Sequence, residues 1–140
     1  MDNSFKRFTD AQENSYARAF SEIKQGRKQS HWMWFIFPQI AGLGYSETSR
    51  YYAIRDLQEA TGYLQHPVLG PRLINISGEL LKLKTNDAHQ VFGTPDDLKL
   101  KSSMTLFSKI PETDLVFNLV LEKFFNGERD IKTLQLISQN

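Results

Sequence analysis

The sequence predicts an all-α fold, a single compact domain of about seven short-to-medium helices, and three observations carry that expectation. Apolar residues recur at three- and four-residue spacing through most of the chain. Capping residues stand before these stripes and glycine or proline after them. The one near-continuous apolar run that would suit a strand, Trp32 to Phe37, has no second β-branched run to pair with.

Thr9 and Asp10 each precede a Gln or Glu by three residues, a capping-box pattern, and Ala11, Tyr16, Ala17, Phe20 and Ile23 follow on one face. A first helix is therefore expected from Asp10 to Gln25, stopped by Gly26, with residues 1–8 as a loosely packed arm. The block His31 to Gly44, HWMWFIFPQIAGLG, holds both tryptophans and reads as a short helix or packed turn ended by Pro38. Burying each of its large side chains is worth about 1.5–3 kcal/mol, so it must be core or pocket wall.

Ser46 then caps a helix with Glu47 in its first turn and Tyr51, Ile54 and Tyr52 as the inward-facing candidates. Asp56 and Glu59 form another capping box, which predicts a break near Arg55 and a new helix to Gln65. His66-Pro67 opens the next, whose stripe from Val68 to Leu83 runs to Lys84, with Gly70-Pro71 distorting its first turn. Asn86 or Asp87 caps one turn ending at Gly93. Thr94-Pro95-Asp96-Asp97 reads as cap, proline at the first position and two acids at the positive end of a helix carrying Leu100, Met104 and Phe107. Pro111 interrupts, a helix containing Leu115, Leu119 and Phe124 runs to Asn126 with Gly127 as its stop, and Asp130 caps a last one.

Seventeen basic and sixteen acidic side chains leave a net charge of +1, so no global field draws the chain to nucleic acid or membrane, and neither partner is expected. The absence of cysteine removes disulfides and thiolate chemistry. With no signal-like start and no apolar window of membrane-spanning length, a cytoplasmic location is expected.

Four phrases, SHWMWFIFPQ at 30–39, GLGYSETSRYYAI at 42–54, HPVLGPRL at 66–73 and FGTPDDLKLKSSMTLF at 92–107, resemble the bacterial domain of unknown function family 1810. The resemblance covers almost the whole chain and implies a compact helical protein without an assigned activity. The calpastatin-like label sometimes attached to that family has no physical support here. Calpastatin-type inhibitors are long disordered chains, and this one is compact and rich in aromatics.

The candidate site is built around the aromatic block. Gly42 and Gly44 precede Ser46 at a helix start, where free N–H groups favour anions, yet neither a third glycine nor a P-loop lysine is present. Arg50 and Arg55 follow, with Arg72, Lys99 and Lys101 further on. Arginine forks bind planar anions and tryptophan faces accept a base, so Trp32, Trp34, Gln39, Gly42, Gly44, Ser46, Arg50 and Arg55 form a candidate binding set. The bland alternative for the arginines is pairing with Glu47, Asp56 or Glu59. His31, beside Trp32, is the one candidate acid or base, and backbone bonding near Ser30 is its structural alternative.

His66 suits a helix start and His89 a polar one-turn helix, no recognised metal spacing exists among the three histidines, and no cofactor is implied. Asp96 and Asp97 diverge by about 100° on a helix and make a poor acid/base pair. Ser102, Ser103 and Thr105 lack a nucleophile elbow and suit polar packing or ligand hydrogen bonding. Two functions follow. One is a pocket for a small anionic, nucleotide-derived ligand, with or without catalysis by His31. The other is a protein-interaction module whose Lys24 to Lys28 edge meets an acidic partner.

Overall fold

The computed structural model describes residues 5–139, in which ten helices and no strand are found. They are α1 (Lys6–Glu13), α2 (Tyr16–Gln25), α3 (Met33–Ile36), α4 (Glu47–Tyr52), α5 (Leu57–Gln65), α6 (Leu69–Leu81), α7 (Ala88–Phe92), α8 (Asp96–Ser108), α9 (Val116–Phe125) and α10 (Ile131–Ser138). The all-α expectation holds. The count exceeds seven because the short segments α3 and α7 are helices in their own right and because the first expected helix is two, α1 and α2.

Helix α8 is the centre of the packing: Leu100 and every residue from Ser102 to Phe107 are buried, while α5, α7, α9 and α10 surround it. Helix α6 closes the other side against α2, α5 and α9. Phe107 joins the layers, lying 5.5 Å from the Tyr63 ring and 5.6 Å from Phe117.

From residue 5 onward the expected loose arm is a docked helix. Phe8 is fully buried and meets Tyr63 edge-on at 5.1 Å, and Phe5 packs against Tyr63 and His66. Residues 1–4 of that arm lie outside the described residues. The single helix from Asp10 to Gln25 is also two, parted at Asn14 and Ser15. Gln12, expected on a helix opening, is buried instead; its amide donates to the Phe35 carbonyl (2.7 Å) and the Tyr63 hydroxyl (3.0 Å) and accepts from Arg72 (3.3 Å). That anchor ties α1 to α3, α5 and α6, whereas α2 packs along α6, and one straight helix cannot serve both directions.

Smaller departures have local causes. Tyr51 is 60% exposed rather than inward, because α4 turns Tyr52 and the following Ile54 toward the core. Leu115 and Leu119 lie on the solvent side of α9, whose buried face is Val116, Phe117, Val120, Leu121 and Phe124. Asn126 itself adopts the left-handed conformation that ends α9, one residue before Gly127. Thr94 does not cap α8; its hydroxyl meets His89 Nδ1 at 2.9 Å, and Pro95, after a cis peptide bond, occupies the cap position. Helix α6 starts at Leu69, where His66 Nδ1 accepts from the Val68 and Leu69 N–H groups in the manner of a cap, and it ends at Leu81 rather than Lys84.

Ser46, Asp56, Asp87 and Asp130 all accept backbone N–H bonds at the helix starts where they were expected. Gly26 ends α2 at φ +82°, as expected. At the Asp56 box the N–H captured by Glu59 belongs to Arg55 (2.7 Å), one residue outside the usual pattern.

The aromatic block is held by one carboxylate. Glu22 on α2 accepts from the Gln29 N–H (2.7 Å), the Ser30 N–H (2.9 Å), the Ser30 hydroxyl (2.6 Å) and the Trp32 indole (2.9 Å). Burial pushes its pKa up, but the Ser30 hydroxyl, the Gln29 N–H, the indole and the Ser30 N–H outweigh that and bring it to about 2. A depressed carboxylate adds stability above its unfolded pKa of about 4.3 and loses it as pH falls through the folded value. Glu22→Gln should therefore cost about 3 kcal/mol at neutral pH, with the deficit shrinking toward pH 2. Urea melts of both proteins at pH 7, 4 and 2.5 measure it, and a deficit that does not change with pH refutes the assignment.

The α5–α6 corner depends on Gly70, since a Cβ there would lie 1.9 Å from the Leu64 carbonyl oxygen. Gly70→Ala should lower stability by about 3 kcal/mol, because backbone rather than a flexible side chain must move. Gly78 on the same helix has nothing within 4 Å of such a Cβ. There the same substitution should gain about 0.5–1 kcal/mol. Denaturant midpoints of the pair test the contrast.

Candidate functional site

Helix α3 sorts the aromatic block by direction. Neighbouring residues on a helix point about 100° apart, so Met33 and Ile36 enter the core while Trp34 and Phe35 stay half-buried on the other side. After Pro38 the chain is pinned by an isolated parallel bridge between Ile40 and Ile54: the Ile54 N–H donates to the Gln39 carbonyl (2.8 Å) and the Ala41 N–H to the Ile54 carbonyl (2.7 Å). The loop that follows arches over the start of α4.

Its glycines are required by close approach. A Cβ on Gly44 would fall 2.7 Å from the Ser49 hydroxyl oxygen, and Gly42, at φ +106°, would push one to 3.0 Å from Leu136. The N–H groups of Gly42, Leu43 and Gly44 make no hydrogen bond among the described residues.

Between this loop, α3 and α4 lies a hollow of about 110 Å³, lined by Trp34, Gln39, the backbone of 40–44, Ser49, Arg50 and Tyr52. A second hollow, of about 210 Å³, meets it at Trp34, Gln39, Leu43 and Gly44 and extends to Leu98, Lys99, Ser102 and Asp130. Gln39 stands at the junction. It is only 8% exposed, and its Nε2 has no hydrogen-bond partner among the described residues. A buried donor left unpaired costs about 1–3 kcal/mol, and this one lies where the two linings share residues.

The two candidate arginines differ. Arg50 lines the first hollow and forms no ion pair among the described residues. Arg55 points away into solvent, its guanidinium 3.7 Å from Asp56 and 3.9 Å from Glu59, so its structural alternative is the observed one. The tryptophans differ too. Trp32 is 1% exposed, bonded to Glu22 and packed on Phe37 and Phe92, and it offers no face to a ligand. Trp34 lines both hollows and carries the Lys99 ammonium 4.1 Å above its ring.

Ser46 lies outside both linings: its hydroxyl accepts from the Ser49 N–H at 3.1 Å, and its carbonyl accepts the Ser49 hydroxyl at 2.8 Å. The start of α4 is thus capped from within the chain, and the space for a ligand lies beside the helix, at Ser49 and Arg50. His31 is exposed and lines neither hollow. His89 pairs with Thr94, and no cluster of metal-ligating side chains exists among the described residues. No described helix is long and apolar enough to cross a membrane.

Lys99 belongs to a charge relay running into the core. Its ammonium is 3.1 Å from Asp96 Oδ1, and Asp96 Oδ2 is 2.9 Å from Lys28, whose side chain is 8% exposed. Burial pushes the Asp96 carboxyl up, but the two ammonium bonds hold it below its ordinary value. Across the second hollow Asp130 caps α10 and accepts from the Ser102 hydroxyl at 3.1 Å. Ser49, Tyr52 and Asp130 carry no site role in the sequence, where Tyr52 reads as an inward residue and Asp130 as a cap. Ser49 carries a faint signal, three residues after a capping serine, but nothing local connects Asp130 to a loop some ninety positions earlier.

The family model described as "Protein of unknown function (DUF1810)" matches residues 2–137. The crystal structure of the conserved hypothetical protein Rv1873 from Mycobacterium tuberculosis superposes with a TM-score of 0.93 at 44% identity, covering 95% of both chains. No curated protein matches. Four phrases in order, the helical architecture and a match over nearly the whole length place this chain in the DUF1810 family of proteins of unknown function.

Proposed function

We propose that this protein binds a small anionic, nucleotide-derived ligand in the hollow between the 40–44 loop and α4. The observation that carries the reading is the buried, unpaired Gln39 amide beside an arginine with no carboxylate partner among the described residues. Arg50 supplies a planar fork for a phosphate or carboxylate, the unbonded N–H groups of the loop add donors, and Trp34 presents an aromatic face. Binding without a reaction is the reading supported, since His31 lies outside both linings.

The interaction-module alternative loses part of its surface. Of its basic edge, Lys24 and Arg27 are exposed, but Lys28 is buried between Asp96 and the Ser30 carbonyl.

Thermal-shift titration with inorganic phosphate and the four ribonucleoside 5′-monophosphates tests the proposal. A ligand at 100 times its dissociation constant adds about 2.7 kcal/mol, a rise of several degrees for a domain of this size. Arg50→Lys should weaken the best of these probes about tenfold with little change in denaturant midpoint, because lysine keeps the charge and loses the fork. Arg27→Lys, on the surface after α2, should change neither. A large stability loss with unchanged affinity would make Arg50 a brace and overturn the site.

A further inference from the structure

The second hollow differs from the first in what it offers a ligand, and the difference assigns a direction. The first holds Arg50. The second holds Lys99, but that ammonium is neutralised: Lys28, Asp96 and Lys99 form a continuous chain, and with Asp130 the region has two cations against two anions. An anionic group gains little there and meets the Asp130 carboxylate.

The polar groups at this end are chiefly acceptors. Asp130 Oδ2 accepts from the Ser102 hydroxyl, from the Thr133 N–H at 3.1 Å and from the Thr133 hydroxyl, whereas Oδ1 accepts no hydrogen bond among the described residues. The Ser102 oxygen has a single proton, shared between the Leu98 carbonyl (3.2 Å) and Asp130, and keeps lone pairs free. The unpaired Gln39 Nε2 adds one donor from the junction, and Trp34, Pro95 and Leu98 give apolar walls. Acceptors, the Gln39 and Lys99 donors and apolar walls fit a ring bearing neighbouring hydroxyls, because each hydroxyl both donates and accepts while its C–H face packs on carbon.

We propose that the Ser102–Asp130 hollow is a hydroxyl-recognising subsite, so that the ligand is a phosphorylated sugar lying with its anion at Arg50 and its hydroxylated ring against Pro95 and Leu98. This rests on the anion-binding reading of the first hollow and narrows it to a ligand class. The sugar end is read by hydrogen bonds, so analogues lacking hydroxyls leave buried polar groups unpaired and bind worse.

The test compares inorganic phosphate with ribose 5-phosphate by calorimetric titration of the whole chain. Ribose 5-phosphate should bind at least tenfold tighter than phosphate. Ser102→Ala should reduce that advantage below threefold while phosphate affinity stays within twofold of the parent. Asp130→Asn should do the same, and since Asp130 caps α10, its circular dichroism melt is recorded alongside; if it fails to fold, Ser102→Ala decides alone. Equal affinity for the two probes, or an advantage that survives Ser102→Ala, overturns the subsite and leaves the anion site standing. Binding of neither probe overturns both.

Discussion

The Glu22 carboxylate is the constraint on which the rest of this molecule depends. Removing an ionised group from water is expensive, and it is tolerated here because four donors from residues 29–32 converge on its two oxygens. Those bonds fix the chain on leaving α2 and draw the Trp32 indole inward. The Lys28 N–H, bonded to the Val91 carbonyl at 2.7 Å, locks the same segment to α7. Once Trp32 is committed, the helical turn beginning at Met33 has no rotational freedom, and Trp34 must emerge on the opposite side. The outward tryptophan is thus a consequence of a buried anion more than ten residues before it.

From Trp34 onward the geometry is set by close approaches. The bridge between Ile40 and Ile54 replaces what a sheet would provide, two backbone hydrogen bonds holding a loop against a helix end. Gly44 lets the Ser49 side chain come within contact of the loop backbone, and Ser49 in turn is held by Ser46. The hollow survives because these small residues cannot fill it, while Leu136 from α10 limits it from the far side of Gly42. A packed core would ordinarily close around a gap of this size. Here the loop is braced at both ends, and the Gln39 amide lines the gap without finding a partner.

How much of this was legible in the sequence follows the range of the interactions. Caps are local, and Ser46, Asp56, Asp87 and Asp130 stood where their spacing placed them. The docked amino-terminal helix was not legible, because Phe8 is held by Tyr63 and Gln12 by Tyr63 and Arg72, partners more than fifty positions away. The tryptophans look alike in the sequence, and only the location of Glu22 decides which is core and which is wall. Arg50 and Arg55 are likewise indistinguishable by type; the carboxylates of Asp56 and Glu59, one and four residues after Arg55, were the local hints that it is braced. Gly42, Gly44, Gln39, Trp34 and Arg50 do gather at one hollow, and the residues read with them, Ser46 and Arg55, are used to hold the chain instead.

On the proposed reading, the charge arrangement explains how a protein with a net charge of +1 favours an anion at one place. A bound ion feels the charges near it, since those beyond about 8 Å are largely screened at physiological salt. Lys28, Asp96 and Lys99 are tied to one another, and a cation already paired offers less to an incoming anion than its formal charge implies. Arg50 has no such partner among the described residues and stands beside backbone N–H groups that are also unbonded. On the proposed reading the pairing of the other cations is therefore as important to the site as Arg50 itself: Asp96 and Asp130 together balance Lys28 and Lys99, which leaves one end of the proposed site cationic and the other nearly neutral, and gives a ligand with a charged end and a hydroxylated end one favourable way to lie.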